Sequence, residues 1–96
     1  MQVTTYQIDS STDQPKAIDV FGNAEIIDVS VNEYDQNIIL HVMQNPSGAV
    51  YKKFIQLALD NQEIPDNGNA QRRYIGMALL NKGCIYVFEV FSNYKY

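Results

Sequence analysis

The chain has 96 residues, of which 46% are hydrophobic, and its formal net charge is −4. This length predicts one domain spanning residues 1–96, and the hydrophobic content excludes a disordered chain. The seven tyrosines and four phenylalanines, together with many β-branched residues, favour strands over helices.

The sequence also bears on compartment and cofactors. No apolar run approaches the roughly 20 residues that a membrane helix needs, and the N-terminal residues lack the pattern of a secretory signal. Cys84 is the single cysteine and has no partner for an intramolecular disulfide, which predicts a reducing, cytoplasmic setting. One cysteine and one histidine are too few for a typical structural zinc site, so no metal or cofactor is predicted.

The charges are unevenly distributed along the chain. Residues 1–45 hold seven carboxylates against one lysine, whereas residues 46–96 hold six cations against four carboxylates. An acidic first half disfavours a nucleic-acid partner, because such interfaces need a basic face. The uneven distribution of charged residues has two interpretations. The charged residues either form an ordinary solvated surface or form an acidic face that meets a basic partner.

Four segments of the first half alternate apolar and polar residues with the period of a strand. They are residues 3–8, 17–20, 25–31 and 37–44, with turn-forming residues between them. In the third segment, Ile27, Val29 and Val31 are expected to share one face. Ile26 is expected on the opposite face. The short polar link after this segment predicts an antiparallel hairpin with the fourth.

Residues 49–60 fit two different elements. A stripe at helical spacing favours a short helix, and its members are Tyr51, Phe54, Ile55, Ala58 and Leu59. Strict alternation favours a strand, and its members are Tyr51, Lys53, Ile55, Leu57 and Leu59. The periodicity alone slightly favours the helix.

A polar stretch over residues 60–71 is interpreted as a long loop, where binding functions often lie. Two strands follow it as a closing hairpin, over residues 72–80 and 84–91. Asn81, Lys82 and Gly83 form their connection, and Gly83 is expected in the left-handed region, in a turn followed by a bulge.

The last strand is apolar on both faces, which is typical of a strand that is central, sandwiched or covered by another subunit. The chain then ends in an aromatic tail. Aromatic residues are favoured in contact surfaces, and a two-fold dimer covers exposed strands, so a homodimer or higher homo-oligomer is predicted. The predicted interface residues are Tyr86, Phe88, Phe91, Tyr94 and Tyr96.

Three residues have side chains suited to catalysis: His41, Cys84 and Glu89. His41 would need a nucleophile and an orienting acid, for which Cys84 and Asp28 are the candidates. Neither His41 nor Cys84 lies in a known catalytic motif, and a thiol on an apolar strand is typically inert. Glu89 is expected to pair with Arg73 on the neighbouring strand or to point to solvent. No catalytic residue is therefore predicted.

The best candidate for a ligand site is a basic and aromatic group beside the polar loop. Guanidinium groups suit phosphates or carboxylates, and a tyrosine could stack on a base. Two lysines would join if their strand lies alongside. The members are Arg72, Arg73, Tyr74, Lys52 and Lys53. The chain has no glycine-rich phosphate-binding motif, which excludes the common phosphate-loop folds.

Several stretches follow a recognisable order, from a tyrosine-containing first strand to a Tyr-Ile-Gly … Val-Phe-Glu-Val hairpin. They are Tyr6-Gln7-Ile8, Asp13-Gln14, Val20-Phe21-Gly22-Asn23-Ala24-Glu25-Ile26-Ile27-Asp28-Val29, Tyr74-Ile75-Gly76 and Val87-Phe88-Glu89-Val90. In this order the chain resembles a family of small phage and bacterial proteins of unknown function. The resemblance implies a compact, β-rich fold, a strand over residues 49–60 and a phage context. It supplies no catalytic residues.

These observations predict a mainly β domain, a small antiparallel sandwich or half-open barrel of about six or seven strands. A short helix near residues 49–60 is the alternative for that segment. The leading functional hypothesis is a non-enzymatic phage accessory protein that binds and inhibits a host or defence protein in the host cell cytoplasm. The alternatives are a protein that binds or sequesters a nucleotide-like small molecule, and a minor virion component.

Overall fold

The computed structural model describes residues 1–64 and 71–91. These residues form seven strands: β1 (Gln2–Ile8), β2 (Lys16–Phe21), β3 (Glu25–Asn32), β4 (Asn37–Gln44), β5 (Val50–Leu59), β6 (Gln71–Leu80) and β7 (Gly83–Phe91). The predicted mainly β class and the predicted number of strands are confirmed. In the described ranges, no helix is long and apolar enough to cross a membrane. Part of the predicted polar loop, residues 65–70, lies outside the described residues.

The strands form two antiparallel sheets that pack as a small sandwich. Sheet A has the order β1-β4-β3, and sheet B has the order β2-β5-β7-β6. The predicted hairpin of β3 and β4 is confirmed by their pairing. Strand β3 of sheet A also lies against β6 of sheet B, where Gly76 approaches the side chain of Val29.

Inward-facing aliphatic side chains from both sheets form one core. Every second residue of β4, the middle strand of sheet A, is buried. The largest fully buried side chains are Val20, Ile38, Leu40, Val42, Ile55, Ile85 and Val87. Burial of one such side chain contributes about 1.5–3 kcal/mol, so these residues hold the two sheets together.

Residues 49–60 contain a strand, and the helical alternative for them is wrong. Strand β5 pairs with β2 on one side and with β7 on the other. Ile55 and Leu57 face the core, while Gln56 and Ala58 are buried on the opposite face. Apolar residues on both faces of a central strand also satisfy helical spacing, which is why the periodicity was ambiguous.

Strand β3 departs from the predicted alternation at Ile27. A β-bulge between Ile26 and Asp28 adds one residue to this strand. Ile26 therefore faces the core together with Val29, whereas Ile27 is 48% exposed. The predicted common face of Ile27, Val29 and Val31 is wrong, because the extra residue of a bulge exchanges the two faces on one side of it.

The β2–β3 and β4–β5 turns meet at one end of the sandwich. The Gly22 N–H donates to the Ala49 carbonyl at 3.0 Å. A Cβ atom on Gly48 would lie 2.4 Å from the Gly22 Cα atom, so the two turns approach this closely only because Gly48 has no side chain. The buried Gln44 joins the sheets beside them, since its Oε1 atom accepts a hydrogen bond from the Phe21 N–H at 3.0 Å.

The closing β6–β7 hairpin lies at the other end. Gly83 has a φ of +133°, so the positive φ predicted at Gly83 is confirmed. The predicted three-residue connection followed by a bulge is wrong, because Gly83 is the first residue of β7 and pairs with Leu80, which leaves Asn81 and Lys82 as a two-residue turn. Lys82 Nζ donates to the Ser10 carbonyl at 2.8 Å, and the Asn81 N–H donates to Gln36 Oε1 at 2.8 Å. The hairpin turn is thereby tied to the β1–β2 connection, which joins the two sheets, and to the β3–β4 connection of sheet A.

Candidate functional site

The five residues of the predicted ligand site lie on both faces of sheet B. Strand β7 separates β5, which carries the two lysines, from β6, which carries the two arginines and the tyrosine. Lys53 and Arg73 converge on Glu89 of β7. Lys52, Arg72 and Tyr74 occupy strand positions on the opposite face. The fold therefore brings Lys53 and Arg73 together and separates them from the other three residues.

Glu89 is buried, with 2% of its surface exposed. Its Oε2 atom lies 2.6 Å from Lys53 Nζ, and its Oε1 atom lies 3.6 Å from Arg73 Nη2. The expected pairing of Glu89 with Arg73 is confirmed, and Lys53 is an additional, closer partner. Sequence reasoning did not identify Lys53 in this role because the order of β5 and β7 in the sheet was unknown. The carboxylate competes with any phosphate for both cations.

Lys52 and Arg72 have partners of their own on the opposite face. Lys52 Nζ lies 2.8 Å from Asp19 Oδ1 in a largely exposed pair. Arg72 Nε donates to Gln56 Oε1 at 3.0 Å. Since β7 lies between the strands of Arg72 and Gln56, the Arg72 side chain crosses β7 to reach the amide.

A cavity of about 230 Å³ lies at the end of sheet B. It is smaller than the roughly 300–1,000 Å³ of typical ligand pockets. Its lining residues are Tyr51, Lys52, Lys53, Phe54, Glu89, Val90 and Phe91. Two of the five predicted ligand residues, Lys52 and Lys53, therefore line a concave surface.

The face of sheet B that points away from the core is strongly apolar over β5, β7 and β6. We call it the outer face, and its members are Phe54, Gln56, Ala58, Arg72, Tyr74, Met77, Leu79, Cys84, Tyr86, Phe88 and Val90. Outward positions of an antiparallel sheet that faces water are normally polar. Among these eleven residues only Gln56 carries an amide and only Arg72 a charge, and the charged pair of Lys52 and Asp19 lies at the margin of the same face.

Four apolar side chains of the outer face, on β5 and β6, are exposed, whereas those of β7 are half-buried. Leu79 is 74% exposed, Tyr74 54%, Met77 51% and Phe54 44%. The rings of Tyr74 and Phe88 meet edge to face, with centroids 5.7 Å apart. Such aromatic contacts favour a defined ring orientation, so the two rings support each other on this surface.

The predicted interface residues fall partly on this surface. Tyr86 and Phe88 lie at its centre, on β7. Phe91, at the end of the same strand, is 38% exposed. Tyr94 and Tyr96 lie outside the described residues.

Sequence reasoning missed three exposed members of the outer face: Phe54, Met77 and Leu79. Strand β6 contains a bulge between Tyr74 and Gly76, and a bulge breaks the alternation from which faces are read. The sequence feature that could have indicated this surface is that β5 and β7 carry apolar residues on both of their faces. That signal identifies central strands without showing which of their faces is covered.

Tyr86 remains neutral at the centre of the outer face. A hydrogen bond to Cys84 and the nearby Asp60 carboxylate raise its pKa above the ordinary value of 10. Its hydroxyl donates to Asp60 Oδ1 at 3.4 Å. The phenol is therefore an uncharged hydrogen-bonding group at neutral pH, suited to a contact surface.

The outward face of sheet A is more polar. There His41 Nε2 lies 2.8 Å from Ser30 Oγ, and Thr5 and Asp28 occupy the pairing positions on either side of His41. Cys84 belongs to the outer face of sheet B, where its Sγ atom contacts Met77 Sδ at 3.6 Å. His41 and Cys84 thus lie on opposite surfaces of the sandwich and cannot act as a pair.

Comparison with known proteins yields no match to a family model, a curated protein or a solved structure. Within residues 1–64 and 71–91, no three His, Cys, Asp or Glu side chains come together in a group that could hold a metal ion. Of the surfaces of the sandwich, the outer face of sheet B is the most distinctive, because it is the most apolar.

Proposed function

We propose that this protein is a non-enzymatic protein-binding module whose partner docks on the outer face of sheet B. The observation that carries the proposal is the solvent exposure of aromatic and aliphatic side chains on β5 and β6, on either side of the half-buried aromatic residues of β7. In the phage context implied by the resemblance, the module binds a host or defence protein and inhibits it.

The composition of the outer face supports this proposal. Protein interfaces are enriched in tyrosine, phenylalanine, methionine and arginine, and their centres are poor in lysine and carboxylates. The outer face has Tyr86 and Phe88 at its centre and Met77 and Arg72 around them. Residues of these types supply most of the binding free energy in measured interfaces.

The rigidity of the surface supports inhibition as the outcome of binding. Strand β7 pairs on both sides, so its outward side chains are held by two ladders of backbone hydrogen bonds. Little conformational freedom is lost when such a surface binds, which favours affinity. A rigid sheet laid on a functional surface of another protein blocks access to it.

A capture experiment with matched variants tests the proposal. Tagged wild-type protein is incubated with host lysate beside Met77→Lys, on the outer face, and Met43→Lys, on the outward face of sheet A. We expect wild type and Met43→Lys to recover the same stoichiometric protein, distinct from this chain, and Met77→Lys to lose it. Circular dichroism of both variants controls for folding. The proposal fails if no stoichiometric protein is recovered or if Met77→Lys recovers it equally well.

The second candidate is a small-molecule binder, which the cavity beside Lys52 and Lys53 favours. The ion pair of Lys53 with Glu89 weakens this candidate, because an anionic ligand would meet a buried carboxylate. A nucleotide-like ligand that binds the folded state would raise the melting temperature by mass action. A flat thermal-shift profile with cyclic and linear dinucleotides would eliminate this function, whereas a rise that Lys52→Gln abolishes would establish it.

A further inference from the structure

We infer that a second copy of this chain covers the outer face when no other protein is bound there. In the dimer, the two outer faces pack against each other about a two-fold axis, and Asp60 of each copy meets Lys52 of the other. This inference rests on the proposed function, since the protein that docks on the outer face would displace the second copy from the same surface.

The charge of the outer face favours a copy of the same chain. The chain has a net charge of −4, so two copies repel unless they meet at a neutral surface. Among the described residues at the outer face and its margin, two cations, Lys52 and Arg72, are balanced by two carboxylates, Asp19 and Asp60. A strongly basic partner would find no excess of negative charge there.

The strand register fixes where the charges lie. On β5, Gln56 pairs with Phe88 near the middle of the face. Lys52 precedes Gln56 by four residues, about 13 Å along the strand. Asp60 follows Gln56 by four residues and lies directly after the end of β5. A two-fold axis that crosses the strands at the level of Gln56 therefore brings Asp60 of one copy opposite Lys52 of the other.

The same axis matches large side chains with small ones. Phe54 and Ala58 are equally distant from Gln56 on β5, so each phenylalanine faces an alanine of the other copy. On β7, Val90 and Tyr86 are related in the same way, and Phe88 meets its own counterpart. Alternation of large and small residues lets two sheets interdigitate across about 10 Å, the usual spacing of packed sheets.

The size of the surface is sufficient for a reversible dimer. The four strands of sheet B, which add β2 to the three strands of the outer face, span about 19 Å, and the nine residues from Lys52 to Asp60 span about 27 Å. These dimensions give about 500 Å² per copy, or about 1,000 Å² in total, at the lower limit of specific interfaces. Interfaces of this size are typically transient, so we expect dissociation in the micromolar range.

Sedimentation velocity over a range of concentrations tests the dimer. Wild type is compared with Lys52→Glu, Asp60→Lys and the double variant. Asp28→Lys, on the outward face of sheet A, is the control for the charge change in Asp60→Lys. Each single variant at the interface turns an attraction into a repulsion, and we expect its dissociation constant to rise about tenfold or more. The double variant restores the attraction and should return to within about threefold of wild type. Asp28→Lys should dimerise like wild type.

The inference is overturned if wild type remains monomeric up to about 1 mM, a concentration at which even weak specific dimers form. It is equally overturned if both single variants dimerise as wild type does, or if the double variant fails to recover. Thermal unfolding of each variant distinguishes loss of dimer from loss of fold. A monomeric wild type that still captures another protein through Met77 would refute the dimer and support the proposed function. A wild type that dimerises but captures no other protein would support the dimer and refute the proposed function.

Discussion

Glu89 is held by cations from the strands on both sides of β7, at a position with almost no solvent exposure. A buried carboxylate that loses its closest cation retains its desolvation cost without compensation. We expect Lys53→Met to lower the free energy of unfolding by about 3 kcal/mol, because the longer contact to Arg73 compensates only in part. Urea denaturation measures this value.

The matched control is Lys52→Met, which removes the neighbouring lysine from its exposed pair with Asp19. Exposed pairs contribute about 0–1 kcal/mol, so this change should have little effect. Adding Glu89→Leu to Lys53→Met should recover stability, since no unpaired charge then remains in the core. If Lys53→Met and Lys52→Met lower the free energy of unfolding equally, the structural role given to Glu89 is contradicted.

Asp9 gives the protein a sensitivity to acid. A hydrogen bond to Lys16 and one from the Ser11 N–H lower its pKa from 3.8 to about 2. The unfolded chain therefore takes up a proton at higher pH than the folded chain does. The stability that this carboxylate contributes is complete above about pH 4 and is lost as the pH falls towards 2.

Carbon NMR of the Asp9 carboxyl group follows this titration directly. We expect an apparent pKa near 2 in wild type. In Lys16→Met, which retains the apolar stem and removes the ammonium group, the pKa should move towards the ordinary aspartate value near 3.9. An Asp9 titration that is unchanged in Lys16→Met would show that the lysine is not its main partner.

At the scale of elements, the contact between the β2–β3 and β4–β5 turns is the tightest close approach of a glycine in the described chain. A Cβ atom on Gly48 would lie 2.4 Å from Gly22 Cα and 2.7 Å from Gly22 N. Both are backbone atoms, so they cannot rotate away. We expect Gly48→Ala to lower the free energy of unfolding by about 1–3 kcal/mol, as overpacking does elsewhere.

Gly76→Ala is the matched control, because its Cβ atom would meet the Val29 side chain at an ordinary 3.5 Å. This change should alter stability by less than about 1 kcal/mol. Both variants are measured by thermal unfolding. If Gly48→Ala is as stable as Gly76→Ala, the two turns do not pack as described.

The strands could be predicted because their apolar residues recur with a period of two over most of their length. The alternation of residues 37–44 predicts β4, whose inward residues are buried in strict alternation. Prediction was wrong where that period is interrupted, as at Ile27, since nothing in a single sequence marks the extra residue of a bulge. It was ambiguous where both faces are apolar, as in β5.

The candidate site was harder to predict, because it depends on strand order. Arg72 and Arg73 are adjacent in sequence, yet one reaches Gln56 and the other reaches Glu89. Neighbouring residues of a strand point to opposite faces, so a run of basic residues does not amount to a basic site. The contact of Lys53 with Glu89 requires knowing that β5 pairs with β7, which spacing along the chain does not show.

At the scale of the whole molecule, the two surfaces of the sandwich differ in character. The outward face of sheet A includes His41, Ser30 and Asp28, whereas the outer face of sheet B carries aromatic and aliphatic groups over three strands. The β1–β2 and β3–β4 connections meet the β6–β7 turn at one end of the sandwich, through Ser10 and Gln36. The difference between the two faces makes the outer face of sheet B the more apolar surface of the molecule.

Two methionines report on these surfaces independently. Met77 lies on the outer face and is 51% exposed, whereas Met43 lies on the outward face of sheet A. With ¹³C-labelled methyl groups, their relaxation by a neutral paramagnetic chelate measures solvent access to each face at increasing protein concentration. We expect the Met77 methyl group to become protected as dimers form, and the Met43 methyl group to stay accessible. Equal access to both methyl groups at every concentration would contradict the assignment of the outer face as the contact surface.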